Sequence, residues 1–308
     1  MSTLHQTLDD YLRVRRALGF ALEREGHLLP QFVSFLERHG SSYITTSLAI
    51  RWAIASPGVS PSWSNTRMGM VRGFAKYLCA LDPRTEVPPR DRLPAPCRTR
   101  PTPYIYTDKE ICDLMSVAAR ILLGLKGATY ATLIGLLAAT GMRVGEAIAL
   151  ERGDVNDHEG VLVVRCGKFG KSRELVLHPT TTQALRAYAS MRDAALPHPR
   201  SQSFLLSRAG TRLDYKNVHC AFLRLVHRAD LAERRPRRPR IHDLRHTFAV
   251  GTLVRWYRQG VDVGARLPAL STYLGHVNPA STYWYLSATP QLLQLAKRRA
   301  QRVLGPLS

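Results

Sequence analysis

Seven of the chain's 19 prolines lie between Pro83 and Pro103, in the run DPRTEVPPRDRLPAPCRTRPTP. Proline has no amide hydrogen to donate and steers the residue before it away from helix. No helix or central strand passes through such a run, so it divides the chain into two parts that must each bury a core of their own. The division is expected to give a domain over 1–82, a Pro/Arg-rich linker over 83–103 and a second domain over 104–308. A length of 308 residues agrees with two domains at about 150 residues each. The linker carries Arg84, Arg90, Arg92, Arg98 and Arg100. A solvated hinge and a track along a phosphate backbone both remain open for it.

Charge narrows the partner. The chain has 44 Lys+Arg against 23 Asp+Glu, a formal net charge of +21, while 45% of its residues are hydrophobic. That apolar content supports real cores and excludes a wholly disordered basic chain. The excess of positive charge points to a polyanion, nucleic acid first and an anionic membrane surface second. The N-terminal MSTLHQTLDDYLRVRR lacks the pattern of a signal peptide. The longest apolar stretch, within Ala131–Ala139, is about half of the ~20 residues a bilayer span needs. Five scattered cysteines, none in a CxxC, support neither a disulfide framework nor a zinc ribbon. A cytoplasmic, nucleoid-associated protein is expected.

Apolar spacing predicts four helices in the first domain. They begin at Leu4, run over Leu28–Arg38 and Thr46–Ala55, and end with a segment from Ser62 or Ser64 to Cys79. On the last, Met68, Val71, Phe74, Ala75 and Leu78 form the apolar stripe, with Arg67, Arg72 and Lys76 expected outside it as DNA-contacting cations. In the second domain Thr107 and Glu110 form a capping box before a helix. Ala128–Ala139 and Arg143–Leu150 follow as helices. Val161–Val164 and Glu174–Leu177 flank CGKFGKSR and read as a β-hairpin. Helices resume over Thr180–Arg192, Lys216–Arg228, His242–Arg258 and Pro290–Val303. The fold class is therefore mainly α with a small β-sheet (α+β). The basic run ERRPRRPR before His242 adds Arg237 and Arg238 as candidate DNA contacts.

Three segments carry chemistry. In TGMRVGEAIALERGDV a glycine turn presents Arg143 at a helix start, with Glu146 one turn on to brace it. A guanidinium beside a helix N-terminus suits a phosphate, although a plain Arg143–Glu146 salt bridge fits this segment alone equally well. In IHDLRHTFAVGTLV, His242, Arg245 and His246 share one helix face. A zincin needs Glu directly after its first His, where this chain has Asp243, and Arg245 would set a positive charge beside the metal. No metal site is expected. STYLGHVNPASTYWYLSATP adds His276, Tyr283 and Tyr285.

Together these pieces are far more specific. TG-M-R-x-G-E at Thr140–Glu146, Gly167-Lys168, H-x-L-R-H at His242–His246, LGH at Leu274–His276 and Tyr285 nine residues beyond resemble the tyrosine recombinase (phage integrase) family, in its transposon and Xer-like branch. The resemblance spans about Thr107 to Arg302, with the N-terminal module as the family's helical core-binding domain. It implies a site-specific recombinase or integrase acting on duplex DNA recombination sites, for a mobile element. Tyr285 would form a 3′-phosphotyrosyl bond. Arg143 and Arg245 would hold the non-bridging oxygens, and Lys168 would protonate the leaving 5′-oxygen. His242 would assist proton transfer at the tyrosine, and His276 would hydrogen-bond the phosphate. A second strand exchange would resolve a Holliday junction, with no cofactor, metal or ATP.

Tyr283 competes with Tyr285, and Lys171 with Lys168. The nine-residue spacing and the preceding Gly167 favour Tyr285 and Lys168. The stretch Arg255–Pro268 reads as an insertion. The C-terminal helix packs on its own domain or on a neighbouring subunit. A homo-tetramer on paired sites is expected, alone or with related recombinases, and no membrane. Two rivals remain, a type IB topoisomerase and a catalytically silent accessory recombinase.

Overall fold

A computed structural model describes residues 3–55, 58, 60–94, 102–165, 172–231 and 238–304. The chain splits into two compact units, Met1–Arg100 and Pro101–Ser308.

The first unit holds four helices, α1 (Leu4–Ala17), α2 (Glu23–Arg38), α3 (Thr46–Ile54) and α4 (Pro61–Cys79). Side-chain oxygens set three of their starts: Thr3 with Gln6 in a capping box, Thr45 on the Leu48 amide, and Ser60 on the Trp63 amide with Pro61 in the first turn. Leu8, Phe32, Leu36, Trp52, Met68 and Phe74 meet in one core. Arg67 departs from expectation. It is only 7% exposed, on the buried side of α4, with its guanidinium carbon 3.9 Å from the centre of the Trp52 ring. Its long stem packs like an apolar side chain and the ring face accepts its charge, so it leaves the set of DNA-contact candidates. Arg72 is half-buried and Lys76 is exposed.

Over its described residues 83–94 the proline run holds no helix or strand, and it is anchored to the first unit. The Glu86 amide donates to Ile44 O at 2.8 Å, the Glu86 carboxylate accepts from the Thr46 amide at 2.8 Å, and Asn65 Nδ2 donates to Pro94 O at 2.9 Å. Leu93 joins the helical core. This part of the run is thus not a free linker.

The second unit begins with α5 (Asp108–Ile121), whose Thr107–Glu110 capping box is present, and α6 (Gly124–Thr140). After α7 (Val144–Ala149) and a 3-10 turn come β1 (Val155–Asn156), β2 (Val161–Val164) and β3 (Arg173–Val176). They form an antiparallel sheet in the order β1-β2-β3, with Leu162 opposite Leu175 and Val164 opposite Arg173. Leu162, Val164 and Leu175 are buried against α5, α6 and the helices α8 (Pro179–Ala195) and α9 (Tyr215–Arg228).

The remaining helices are α10 (Asp243–Arg258), α11 (Val263–Leu274), α12 (Ala280–Tyr283) and α13 (Pro290–Leu304). They build a second cluster around Leu253, Leu267, Leu274, Tyr285 and Leu292. Most of the expected insertion Arg255–Pro268 is therefore the end of α10 and the first half of α11, with Pro268 inside the helix. Helix α13 packs on its own unit, where Leu292 is buried and Arg299 donates to Val261 O. Among the described residues no helix is long and apolar enough to cross a membrane.

Candidate active site

Helix α6 ends at Gly141, whose φ of +60° is left-handed. A Cβ there would lie 2.5 Å from the Phe248 ring, so both conformation and space call for glycine. The turn delivers Arg143 to the start of α7. Its amide and Nη1 donate to the Glu146 carboxylate at 2.9 and 2.7 Å, and its Nη2 donates to Gly275 O at 3.0 Å.

Arg173, the first residue of β3, approaches the same carboxylate. Its Nη2 donates to Glu146 Oε2 at 2.8 Å and its Nε to Tyr273 O at 2.8 Å. Burial alone would raise the Glu146 carboxyl, but the hydrogen bonds from Arg173 and the Arg143 amide outweigh it and bring the pKa down to about 2. Arg245, on the first turn of α10, is 2% exposed, with Nη1 on Gly141 O at 2.8 Å and Nη2 on Leu274 O at 2.7 Å. Burial first, then Arg143, lowers its pKa to about 10, which leaves it charged at neutral pH. The carbonyls of Tyr273, Leu274 and Gly275 are thus each held by a different arginine: Arg173, Arg245 and Arg143.

Those carbonyls lead into His276. Its Nδ1 lies 2.7 Å from Thr282 Oγ1, and its ring stacks on Tyr285 at a centroid distance of 6.2 Å. Tyr285 sits in the 3-10 turn Trp284–Ser287 and is 2% exposed, with its hydroxyl 3.0 Å from His246 Nδ1. Tyr283, at the end of α12, is 52% exposed. The two tyrosines that spacing left in competition therefore occupy opposite environments. His242 caps the start of α10, with its ring edge-on to His246 at 4.9 Å. Loss of hydration and the neighbouring Arg245 and Arg240 lower the His242 pKa. Loss of hydration and His242 take His246 down to about 4.

Arg143, His242, Arg245, His276 and Tyr285 are thus gathered around the turn after α11. Lys168, Lys171 and Arg237 lie outside the described residues. Arg238 is exposed and lines a hollow of about 370 Å³ with Arg224 and Arg228 of α9. The assembly is two fixed guanidiniums, the imidazole of His276, the imidazoles of His242 and His246 with lowered basicity, and one buried phenol. Such a set binds a tetrahedral anion and presents an oxygen nucleophile to it.

The model of the phage integrase family matches residues 105–291. The chain is a tyrosine recombinase. The recombinase is 41% identical to a Sinorhizobium fredii protein described only as an integrase/recombinase, y4rB, over 98% of each chain. It is 32% identical to the tyrosine recombinase XerD of Caulobacter vibrioides, over 75% of this chain and 72% of that one. Among solved structures, the XerA recombinase covers 99% of both chains at 22% identity and a TM-score of 0.53. The Tn1549 transposon integrase, solved with transposon right-end DNA, covers 95% of this recombinase and 98% of its own chain at 18% identity and a TM-score of 0.63. Likeness at that identity establishes the shared fold.

Membership makes the chain a site-specific enzyme that breaks and rejoins DNA strands. Sequence reasoning gave no role to three residues that the fold brings to this site: Arg173 and Thr282 stood only inside longer runs, and His246 was named on the helix face of His242 and Arg245 without a part in the chemistry. An i,i+4 spacing from His242 was the available signal for His246. Nothing local pointed to Arg173, because only the fold brings β3 to Glu146.

Proposed function

We propose that this recombinase cuts and rejoins the DNA ends of a mobile element, with Tyr285 as the nucleophile. The likeness to an integrase/recombinase along nearly its whole length supports the mobile-element setting. One observation carries the chemistry: the buried Tyr285 hydroxyl meets the helix that bears Arg245, and its ring stacks on His276, which directly follows the carbonyls that Arg143 and Arg245 hold. Tyr285 Oη attacks the scissile phosphorus, a 3′-phosphotyrosyl bond forms and the 5′-oxygen leaves. Arg143 and Arg245 offset the charge that builds on the non-bridging oxygens. His276, oriented by Thr282, hydrogen-bonds one of them. Lys168 protonates the leaving oxygen, and His242 serves proton transfer on the tyrosine side. The covalent bond conserves the energy of the phosphodiester, so rejoining needs no ATP. Arg72, Lys76, Arg237 and Arg238 neutralise phosphates further along the duplex, and four copies assemble on paired sites to pass through a Holliday junction.

A suicide duplex, nicked so that the cleaved end diffuses away, tests this with DNA taken from the element's ends. Covalent protein–DNA product is expected in excess chelator. Arg143→Lys and Arg245→Lys are each expected to slow it by about 10²–10³-fold. Absence of covalent product on both ends, with DNA binding retained, would contradict the proposal.

A further inference from the structure

Threonines within the longer helices give their hydroxyl protons to the carbonyl four residues back: Thr129 to Leu125 O, Thr140 to Leu136 O, Thr247 to Asp243 O and Thr252 to Phe248 O, at 2.7–2.9 Å. Thr282 on α12 does otherwise. It is fully buried, and among the described residues its Oγ1 has one partner, His276 Nδ1 at 2.7 Å. The Thr282 amide donates to Pro279 O at 2.7 Å, and the imidazole that the hydroxyl meets stacks on Tyr285, three residues further on. The contact between Oγ1 and Nδ1 can run in two directions. If Nδ1 carried the ring proton it would donate to Oγ1, and the hydroxyl would keep its own proton buried with no described acceptor. A buried donor left in that state costs more than a typical hydrogen bond returns. If Oγ1 donates, both groups are satisfied and Nδ1 is the unprotonated nitrogen. The proton of the neutral ring then sits on Nε2.

We propose that Thr282 is the positioning residue that sets the tautomer of His276, so that Nε2–H is the group offered to a non-bridging phosphate oxygen. The assignment rests on His276 being a phosphate ligand, as in the function proposed above. A neutral imidazole in the other tautomer would turn a lone pair toward that oxygen, and a lone pair repels an anion. The tautomer therefore decides whether the ring binds the phosphate or opposes it. No proton moves in this role, which belongs to the hydrogen bond alone. Thr282 closes α12 and Tyr285 lies in the 3-10 turn that follows directly. One short element thus both delivers the nucleophile and prepares the donor.

Nitrogen NMR of the full chain with isotope-labelled histidine, without DNA and at about pH 8.5 where an ordinary imidazole is neutral, reads the tautomer directly. The His276 signals are the pair lost in His276→Gln. Nδ1 is expected to be unprotonated and Nε2 protonated, in the wild type and in Thr282→Ser. Thr282→Val keeps the shape without the hydroxyl, and is expected to move both signals toward a mixture of tautomers. A protonated Nδ1 in the wild type, or unchanged signals in Thr282→Val, would overturn the proposal. Single-turnover formation of covalent product on the nicked duplex reads the consequence. Thr282→Val is expected to be about 10–100-fold slower at unchanged gel-shift affinity, with Thr282→Ser within about threefold of wild type. In a His276→Gln background, Thr282→Val is expected to cost less than about twofold more, because its effect passes through that ring. The full loss repeated in that background, or equal losses in the serine and valine variants, would make Thr282 a packing residue and overturn the assignment. Absence of covalent product from the wild type would instead contradict Tyr285 chemistry on that DNA, and the NMR signals still decide the tautomer.

Discussion

At the scale of the residue, the site depends on Glu146 and on three consecutive carbonyls. Glu146 takes up charge from Arg143 and Arg173, so neither guanidinium is free to swing, and the carbonyls of residues 273–275 fix where the arginines sit. Arg173→Ala is expected to slow cleavage by about 10²-fold with little change in DNA affinity, because the loss falls on alignment. Arg173→Lys should restore little of that rate, since an ammonium has no fork to span Glu146 and Tyr273 O. Single-turnover cleavage beside a binding titration checks both. The Glu146 carboxyl has a folded-state pKa of about 2 against an ordinary 4.5. Its contribution to stability is full above that ordinary value and is lost as pH falls toward the folded value. Glu146→Gln is expected to destabilise the protein by about 3 kcal/mol at neutral pH. The gap to wild type in urea midpoint should narrow between pH 5 and pH 3. Much of this was legible in sequence: Arg143, Arg245, His276 and Tyr285 stand in local patterns. Spacing from His276 favoured Tyr285 over Tyr283, but only the fold shows that the 3-10 turn buries the first and leaves the second exposed. Arg173 was illegible because its partners are 27 and 100 residues away.

At the scale of the element, the start of α5 was legible because the capping box of Thr107 and Glu110 acts within one turn of chain, whereas α4 begins at Pro61, capped by Ser60 and ahead of the expected Ser62 or Ser64. Helix α11 was missed because its first half fell in the stretch Arg255–Pro268, which was read as an insertion. Its buried Val263, Leu267, Leu270 and Leu274 nevertheless recur at helical spacing, and Asp262 accepts from the Ala265 amide as its N-cap. The cost of Pro268 is one missing amide donor, and apolar burial on both sides of it outweighs that loss. Asp262→Ala is expected to remove about 1 kcal/mol of stability, read from urea unfolding. Arg67 failed for a related reason. A wheel drawn from α4 sorts charge from apolar residues, and it cannot show that the Trp52 face lies under the guanidinium. Arg67→Ala is therefore expected to destabilise the first unit while leaving the salt dependence of DNA binding unchanged. Lys76→Ala should lower that log–log slope by about 1 and leave stability alone.

At the scale of the whole molecule, a net charge of +21 indicated a polyanion and nothing finer. The fold sorts part of that charge. Arg143, Arg173 and Arg245 are consumed in building one site, Arg67 in packing, and the exposed remainder is available to the duplex. DNA affinity should fall with salt at a log–log slope of roughly −0.9 per phosphate neutralised, and a salt-independent affinity would remove the electrostatic part of the proposal. Light scattering should show a monomer without DNA and a tetramer on paired sites. Neither expectation tests the covalent step, which one measurement reaches directly. The trapped protein–DNA product is digested with protease and nuclease, and the peptide that retains a nucleotide is sequenced by mass spectrometry. The nucleotide is expected on Tyr285, with no such peptide from Tyr285→Phe and an unchanged yield from Tyr283→Phe. A nucleotide on Tyr283, or trapped product that survives in Tyr285→Phe, would contradict the site described above.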